Sequence, residues 1–295
     1  MEKERALEVA VRAAREVGAI LRAGMHAEKY ASTKSHRHDP VTIYDRRAEQ
    51  WIVSAIKDAF PEHGILSEEG MNSEGSSPYR WIIDPLDGTN NFLCGYPQFS
   101  VSIALSRGDE LQVACVYDPL RDELFSAIVG EGAYLDGVSL RVSPQKTLDG
   151  SLIGVGISSQ SERALRTHAA MKPLLSQARG VRAAGSACLD LAYVAAGRLD
   201  AAWYLSLSPW DVAAGILLIR EAGGRVSDLC GATLIDPETG ILATNGAIHA
   251  EMLGAIGIGR DKRTKRSFCP AASPGTVRSF LIGRISSPIA RVPFR

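Results

Sequence analysis

Trp81-Ile82-Ile83-Asp84-Pro85-Leu86-Asp87-Gly88-Thr89 decides how this chain is read. An apolar run drives into two carboxylates and stops at a Gly-Thr pair. Trp81 to Ile83 has the character of a buried strand end. Pro85 lacks the N–H that a sheet ladder needs, which predicts that the strand finishes at Asp84. Both carboxylates then sit where the chain leaves the sheet, the usual ligand position in α/β proteins. Two acids this close repel unless a positive charge lies between them. Mg²⁺ accepts carboxylate oxygens and keeps positions open for phosphate, so metal-assisted phosphoryl chemistry is the first expectation.

Working outward, Ile65-Leu66-Ser67 reads as a short strand that delivers Glu68 and Glu69. If the two strands are neighbours, three or four carboxylates converge. A further acid comes from Ser208-Pro209-Trp210-Asp211, where Ser208 fits an N-cap, Pro209 the first helical position and Asp211 the third, as in a capping box. Each feature has a plainer explanation. Acid pairs on turns are most often only solvated, and Asp211 alone would do no more than stabilise a helix start. Gly88-Thr89-Asn90-Asn91 opens a further helix whose free N–H groups suit a phosphate. Gly185-Ser186 opens the helix near 186–197 in the same way, or as a simple cap, and Gly223-Gly224 reads as a C-cap turn. No G-x-x-x-x-G-K-[ST] motif is present, so a nucleoside-triphosphate loop is not supported. His36 and His38 read as solvated loop residues.

The N-terminal pattern over residues 4–27 predicts an amphipathic helix with Leu7, Ala10, Val11, Ala14, Val17, Gly18 and Leu21 on one face. A polar loop at 31–40 precedes a second helix over 45–60, with Trp51, Ile52, Ala55, Ile56 and Phe60 inward and Pro61 beyond its end. The runs 100–105, 111–117, 123–129 and 133–140 predict an antiparallel meander. Strands and helices alternate from about residue 150 to 256, which predicts an α/β unit. The expected organisation is an N-terminal α+β part at 1–145 with most of the acids, a C-terminal α/β part at 146–259 supplying Asp211, and a basic tail at 260–295 outside the compact fold.

The 295 residues are 45% hydrophobic and 22% charged, with formal net charge zero. The charge is uneven: residues 260–295 hold nine Lys or Arg and one acid, +8 against −8 elsewhere. Such a tail is either a poorly ordered extension or a nucleic-acid or membrane contact. Five scattered cysteines without a C-x-x-C pair argue against zinc and, with Cys115 and Cys188 in apolar stretches, for buried thiols in a reducing cytoplasm. No signal peptide is evident at the N-terminus, and no apolar run approaches the roughly 20 residues that span a bilayer.

Asp84-Pro-Leu-Asp-Gly-Thr-Asn-Asn-Phe92 resembles the first signature of the inositol monophosphatase family, and Trp210-Asp-Val-Ala-Ala-Gly-Ile-Leu-Leu-Ile-Arg-Glu-Ala-Gly-Gly224 resembles the second. Glu68-Glu69, Asp39-Pro-Val-Thr-Ile-Tyr-Asp45 and Lys34 fall in the expected order, and the resemblance covers about residues 1–257. It implies a layered αβαβα sandwich of the inositol monophosphatase and fructose-1,6-bisphosphatase type, usually a homodimer, with Mg²⁺-dependent and often Li⁺-sensitive phosphatase activity. Carried over by position, Glu68, Asp84 and the Leu86 carbonyl would hold one Mg²⁺, and Asp84, Asp87 and Asp211 a second; a third ion would touch Glu68. Thr89 backed by Asp45 would orient and deprotonate the attacking water, with Glu68 and Lys34 also among the catalytic residues. Gly88 and Thr89 N–H groups would bind phosphate, and Gly185, Ser186 and Ala187 would line the alcohol side, with Asp87, Tyr204 and Asp211 completing the substrate contacts.

Two positions depart from the family pattern. Asn90 replaces a second Thr, and Tyr204 stands where a Glu usually meets inositol hydroxyls. The second change leaves room for other small polyol or sugar phosphates, fructose bisphosphate or histidinol phosphate among them. Two rivals remain in view. Phosphatases with an aspartyl-phosphate intermediate carry Asp-x-Asp-Gly-Thr, one residue shorter than this Asp84-x-x-Asp87-Gly-Thr, so the second carboxylate here points differently. A non-catalytic regulatory protein would keep the fold and use the basic tail on nucleic acid.

Overall fold

The computed structural model describes residues 1–29, 31–33, 40–158 and 160–257. Helices α1 (Glu2–Gly24) and α2 (Ile43–Ala59) cover one face of a seven-stranded sheet. Its strands are β3 (Gly64–Ser67), β4 (Tyr79–Asp87), β5 (Ser100–Arg107), β6 (Glu110–Asp118), β7 (Glu123–Ile128), β8 (Gly132–Leu135) and β9 (Val138–Ser139), adjacent in that order. β3 and β4 are parallel and every other pair is antiparallel, so the expected meander is present. A small hairpin, β1 (Ala31–Thr33) with β2 (Pro40–Thr42), leads into α2, and α3 (Thr89–Cys94) follows β4.

Beyond residue 150 come β10 (Leu152–Val155), α4 (Ser161–Gln177), β11 (Gly180–Arg182), α5 (Ala187–Ala195), β12 (Ala201–Tyr204), α6 (Pro209–Glu221), β13 (Arg225–Ser227), β14 (Ile241–Thr244) and α7 (His249–Ile256). The strands form a second sheet in the order β11-β10-β12-β14-β13, parallel on the β10 side and antiparallel at β14. Helices α5 and α6 lie between the two sheets, while α4 and α7 close the far face of the second. The result is the five-layer αβαβα arrangement. Its three apolar cores lie between successive layers, and the middle one draws on both halves of the chain.

The sandwiched position explains the composition of α5 and α6. A helix covered on both sides is apolar all round, and Val212 to Ile219 is buried without a break. Close approach of these helices depends on Gly215, where a Cβ would lie 2.5 Å from the Leu191 Cβ. On α1, Gly18 has a similar reason: a Cβ there would lie 2.3 Å from the Tyr117 ring.

Two expectations need correction. β4 does not finish at Asp84 but runs to Asp87. Asp84 faces Ser102 and Asp87 faces Ser100, so three steps on β4 match two on β5. Pro85 therefore sits in a bulge, where no ladder N–H is required. Trp51 is not inward. It is 50% exposed and gives its indole N–H to Glu16 (2.8 Å), because α2 buries Ala48, Glu49, Ile52, Val53 and Ile56, a stripe that excludes position 51.

Candidate active site

The bulge in β4 aims its acids. Register between β3 and β4 puts Ser67 beside Ile83, so the Glu68 turn and Asp84 leave the sheet together. The turn is fixed by the Asn72 side chain, which accepts the Ser67 N–H (2.7 Å), and by buried Glu49, which accepts the Met71 N–H (3.1 Å). The Asp84 carboxylate is 2% exposed, receives one backbone donor, the Leu86 N–H at 3.1 Å, and is hydrogen-bonded to the Glu68 side chain. Burial, then the neighbouring charges of Glu68, Asp87 and Asp211, hold its carboxyl well above the usual carboxylate range.

That environment is unusual even within this molecule. Asp118 is fully buried as well, but it faces the Arg121 guanidinium at 2.6 Å and two backbone N–H groups. A buried carboxylate among like charges costs several kcal/mol unless something neutralises it. Asp84 is such a group.

Asp87 is better supported. Ser100 donates to it (3.1 Å), as does the Ser186 hydroxyl through a very short contact, and the Ala187 and Cys188 N–H groups reach it at 3.1 and 3.0 Å. It therefore caps α5 from outside the helix. Burial raises its carboxyl above the normal range, and the four donors oppose that rise. Oδ2 takes three of the donors and Oδ1 one, which leaves Oδ1 with a free lone pair.

Asp211 occupies the first turn of α6, where its carboxylate accepts the Ser208 N–H at 2.7 Å, as the capping-box spacing predicts. Its charge reaches both Asp84 and Cys188. The turn after β3, strand β4 and helix α6 thus deliver Glu68, Asp84 with Asp87, and Asp211 to one place. Ligand atoms of Asp84, Asp87 and Cys188 lie within 4.8 Å of one another. An all-oxygen acidic set with an adjoining backbone carbonyl, Leu86, has the chemistry that a hard divalent cation takes, and the crowding at Asp84 is relieved by positive charge.

Beside the acids stands a hydroxyl relay. Thr89 Oγ1 lies 3.0 Å from Asp45 Oδ1 and 3.1 Å from the Leu86 carbonyl. One hydroxyl hydrogen serves two acceptors, so the oxygen keeps lone pairs for a further donor. Asp45 is fully buried and is itself held by the Thr42 N–H (2.7 Å) and hydroxyl (2.5 Å), the N-terminal cap of α2. Burial, and less strongly Glu68, raises its carboxyl against those hydrogen bonds.

Gly88 adopts φ 93°, and a Cβ there would lie 2.9 Å from the Gln98 carbonyl and 3.3 Å from the Gly185 carbonyl. The turns before α3 and α5 are therefore in contact. Asn91 fastens them, donating to Gln98 O (2.7 Å) and Ala184 O (2.8 Å). Tyr204 is 6% exposed, and its hydroxyl is given to Asp190 at 2.7 Å. Burial pushes Asp190 up to about 7. Lys34, His36, His38 and the segment 260–295 lie outside the described residues.

Reading the sequence missed four contributors: Ser100, Asn91, Cys188 and Asp190. Asn91 lies inside the first signature and was open to a role. The others carry no local signal, since only the fold brings them to Asp87 or Tyr204.

The model of the inositol monophosphatase family matches residues 2–257. A curated protein of Pseudomonas aeruginosa, Nus factor SuhB, is 45% identical over 257 residues, covering 85% of this chain and 95% of that one. The extragenic suppressor protein suhB of Bartonella henselae superimposes with a TM-score of 0.83 at 37% identity, covering 86% of this chain and 99% of its own. An IMPase of Thermotoga maritima gives 0.80 at 34% identity, covering 86% and 97%.

Proposed function

The chain belongs to the inositol monophosphatase family, and on that premise we propose that it hydrolyses the phosphate monoester of a small polyol or sugar with Mg²⁺. The observation that carries the proposal is Asp84: a buried carboxylate with one backbone donor, surrounded by Glu68 from the turn after β3, Asp87 from its own strand and Asp211 from α6. Such an arrangement costs stability and has a use only if a cation fills it. The roles follow residue by residue. Glu68, Asp84, the Leu86 carbonyl, Asp87 and Asp211 would hold the ions, two of them with a third against Glu68. A bound Mg²⁺ supplies positive charge to the phosphoryl and leaving oxygens and lowers the pKa of water.

This chain's own residues do the rest. Thr89 accepts a proton from water while its own hydrogen passes toward Asp45, whose raised affinity for a proton suits that end of the relay. Glu68, and Lys34 by family resemblance alone, would assist that relay. Gly88 and Thr89 present N–H groups to the phosphate oxygens. Gly185, Ser186 and Ala187 line the alcohol side, with Asp87 and Asp211 in reach of both phosphate and alcohol. Tyr204, its hydroxyl already committed to Asp190, serves there as a wall rather than a hydrogen-bonding group. A site without that additional acid accepts alcohols other than inositol. Phosphate monoesters hydrolyse so slowly unaided that preorganised charge must supply most of the acceleration.

The test is phosphate release over inositol monophosphate, fructose 1,6-bisphosphate, histidinol phosphate and nucleotide 3′-phosphates, with and without Mg²⁺. Mg²⁺-dependent turnover of at least one polyol or sugar monoester is expected, and no turnover of any would contradict the proposal. Lithium sensitivity, a homodimer and a cytoplasmic location belong to the same proposal and rest on the family. Among the described residues no helix is long and apolar enough to cross a membrane.

The name Nus factor, carried by similar curated proteins, favours a second reading in which the chain works within a larger assembly. Its sequence offers the basic segment 260–295 for nucleic acid. Retention on nucleic acid across a salt series, with and without that segment, tests it: a tail-dependent, steeply salt-sensitive affinity is expected, and retention unaffected by removing the segment would dismiss a tail-based contact.

A further inference from the structure

Cys188 is a buried, metal-ligating group at the acid cluster that the proposed hydrolysis does not use. It sits in the first turn of α5, 1% exposed, with its sulfur in the same 4.8 Å group as carboxylate oxygens of Asp84 and Asp87. Its S–H points to the first turn of α6, 3.3 Å from the Asp211 carbonyl and 3.9 Å from the Trp210 carbonyl, which leaves the sulfur lone pairs uncommitted. Burial and the charges of Asp87, Asp84 and Asp211 push the thiol well up, with Ser102 weakly opposing them, so the sulfur gives up its proton only to a bound cation. The second observation is Asp84, almost wholly buried among like charges with the Leu86 N–H as its one backbone donor, which faces the same point.

We propose that Asp84, Asp87 and Cys188 form a mixed oxygen–sulfur site that captures a soft or borderline divalent ion, Zn²⁺ or Cd²⁺, and thereby blocks the catalytic Mg²⁺. The inference rests on the reading of Asp84 and Asp87 as cation ligands. Tetrahedral zinc ligands at about 2.0–2.3 Å from the metal lie about 3.3–3.8 Å from one another. A group within 4.8 Å closes onto one ion by side-chain shifts of up to about 1 Å. Asp87 Oδ1 has the lone pair to give. Sulfur decides the selectivity, because hard Mg²⁺ gains nothing from a thiolate while Zn²⁺ and Cd²⁺ bind it strongly. The step balances simply: a metal–sulfur bond forms, the S–H bond breaks, and the proton leaves to solvent with no change of oxidation state.

The experiment uses the full chain and Cd²⁺ as the probe, read by the ultraviolet thiolate-to-cadmium charge-transfer band, against Cys188→Ala and Cys188→Ser. In the wild type one equivalent of Cd²⁺ should raise the band, and Mg²⁺ in large excess should diminish it. Both variants should lose that equivalent, with Cd²⁺ affinity weaker by at least about 100-fold, a loss that even an outer-sphere partner can cause. Using two variants guards against one that misfolds, and circular dichroism checks both. A wild-type band that survives in both variants, or no band at all, overturns the inference. Phosphate release with Mg²⁺, run in parallel on the wild type, separates the failures: if it persists, only the soft-ion site is lost, and if it is absent, the underlying reading falls with it.

Discussion

The buried polar cluster at the end of β4 contrasts with another, between β13, β14 and α7. The second contains His249, Ser227 and Thr244, each no more than 2% exposed. Its composition could pass for a catalytic constellation, yet every group in it is answered. The Gly246 N–H reaches Thr244 Oγ1 (3.0 Å), Thr244 lies 2.9 Å from His249 Nδ1, His249 Nε2 lies 2.9 Å from Ser227 Oγ, and Ser227 donates to the Asp228 carbonyl (2.6 Å). A neutral imidazole protonated on Nε2 satisfies that whole chain with one hydrogen per link. At Asp84 the opposite holds: one backbone donor, and three further acids around it, one of them hydrogen-bonded to it. A satisfied cluster is structure; a frustrated one, kept where it costs stability, marks a ligand site.

The largest effect that would break or sharpen this contrast is expected from Asp84→Asn. It keeps an acceptor for the Leu86 N–H and removes the crowded charge. Mg²⁺-dependent turnover should fall by at least about 10²–10³-fold, while Tm without metal stays level or rises. A variant with lower Tm and full turnover would reverse the argument. Asp87→Asn is a poorer probe, because both Asp87 oxygens receive backbone N–H groups and an amide cannot accept at both.

His249→Ala should do the reverse. It leaves Thr244 and Ser227 without partners and opens a cavity, for about 2–4 kcal/mol of lost stability in chemical denaturation. Turnover per folded molecule should hold. Tyr204→Phe comes next. It strips the donor from buried Asp190 and should cost about 1–2 kcal/mol, and its substrate preference over the phosphate-release panel should stay close to wild type if Tyr204 is a wall.

The smallest effects are those of pH, no more than about 1.4 kcal/mol per pH unit for one proton, and they carry opposite signs. Burial lowers His249 from 6.5 to about 4. Unfolded chains then bind the extra proton first, so the contribution is complete above about 6.5 and is lost as pH falls toward 4. Asp190 is raised from 3.8 to about 7. Here the folded state holds the proton longer, so its contribution is complete below 3.8 and is lost as pH rises through 7. Melting curves from pH 4 to 8 without metal should show the acid-side loss vanish in His249→Ala and the alkaline-side loss shrink in Asp190→Asn. Curves parallel to wild type would refute both assignments.

Much of this was readable before any coordinates. Period and punctuation located α1, α2, the meander and the alternating second half, because burial against one layer leaves a regular trace in sequence. The capping spacing placed Asp211 correctly. Failures came where tertiary contact overrode local rules. Pro85 forbids a ladder bond, and a bulge made that harmless. Trp51 is a large hydrophobe, yet it lies off the buried stripe and snorkels its indole to Glu16. The support around Asp87 arrives from residues 100, 186, 187 and 188, and no spacing rule joins positions that far apart. Tyr204 could be recognised as a departure, but its pairing with Asp190 required the sheet.

The central claim is that the crowded charge at Asp84 is held for a cation, and a calorimetric titration of Mg²⁺ into wild type and Asp84→Asn in the presence of phosphate addresses it directly. Saturable binding in the wild type, weakened at least about tenfold in the variant, is the predicted result. Equal binding by both proteins, or none by the wild type, would contradict it.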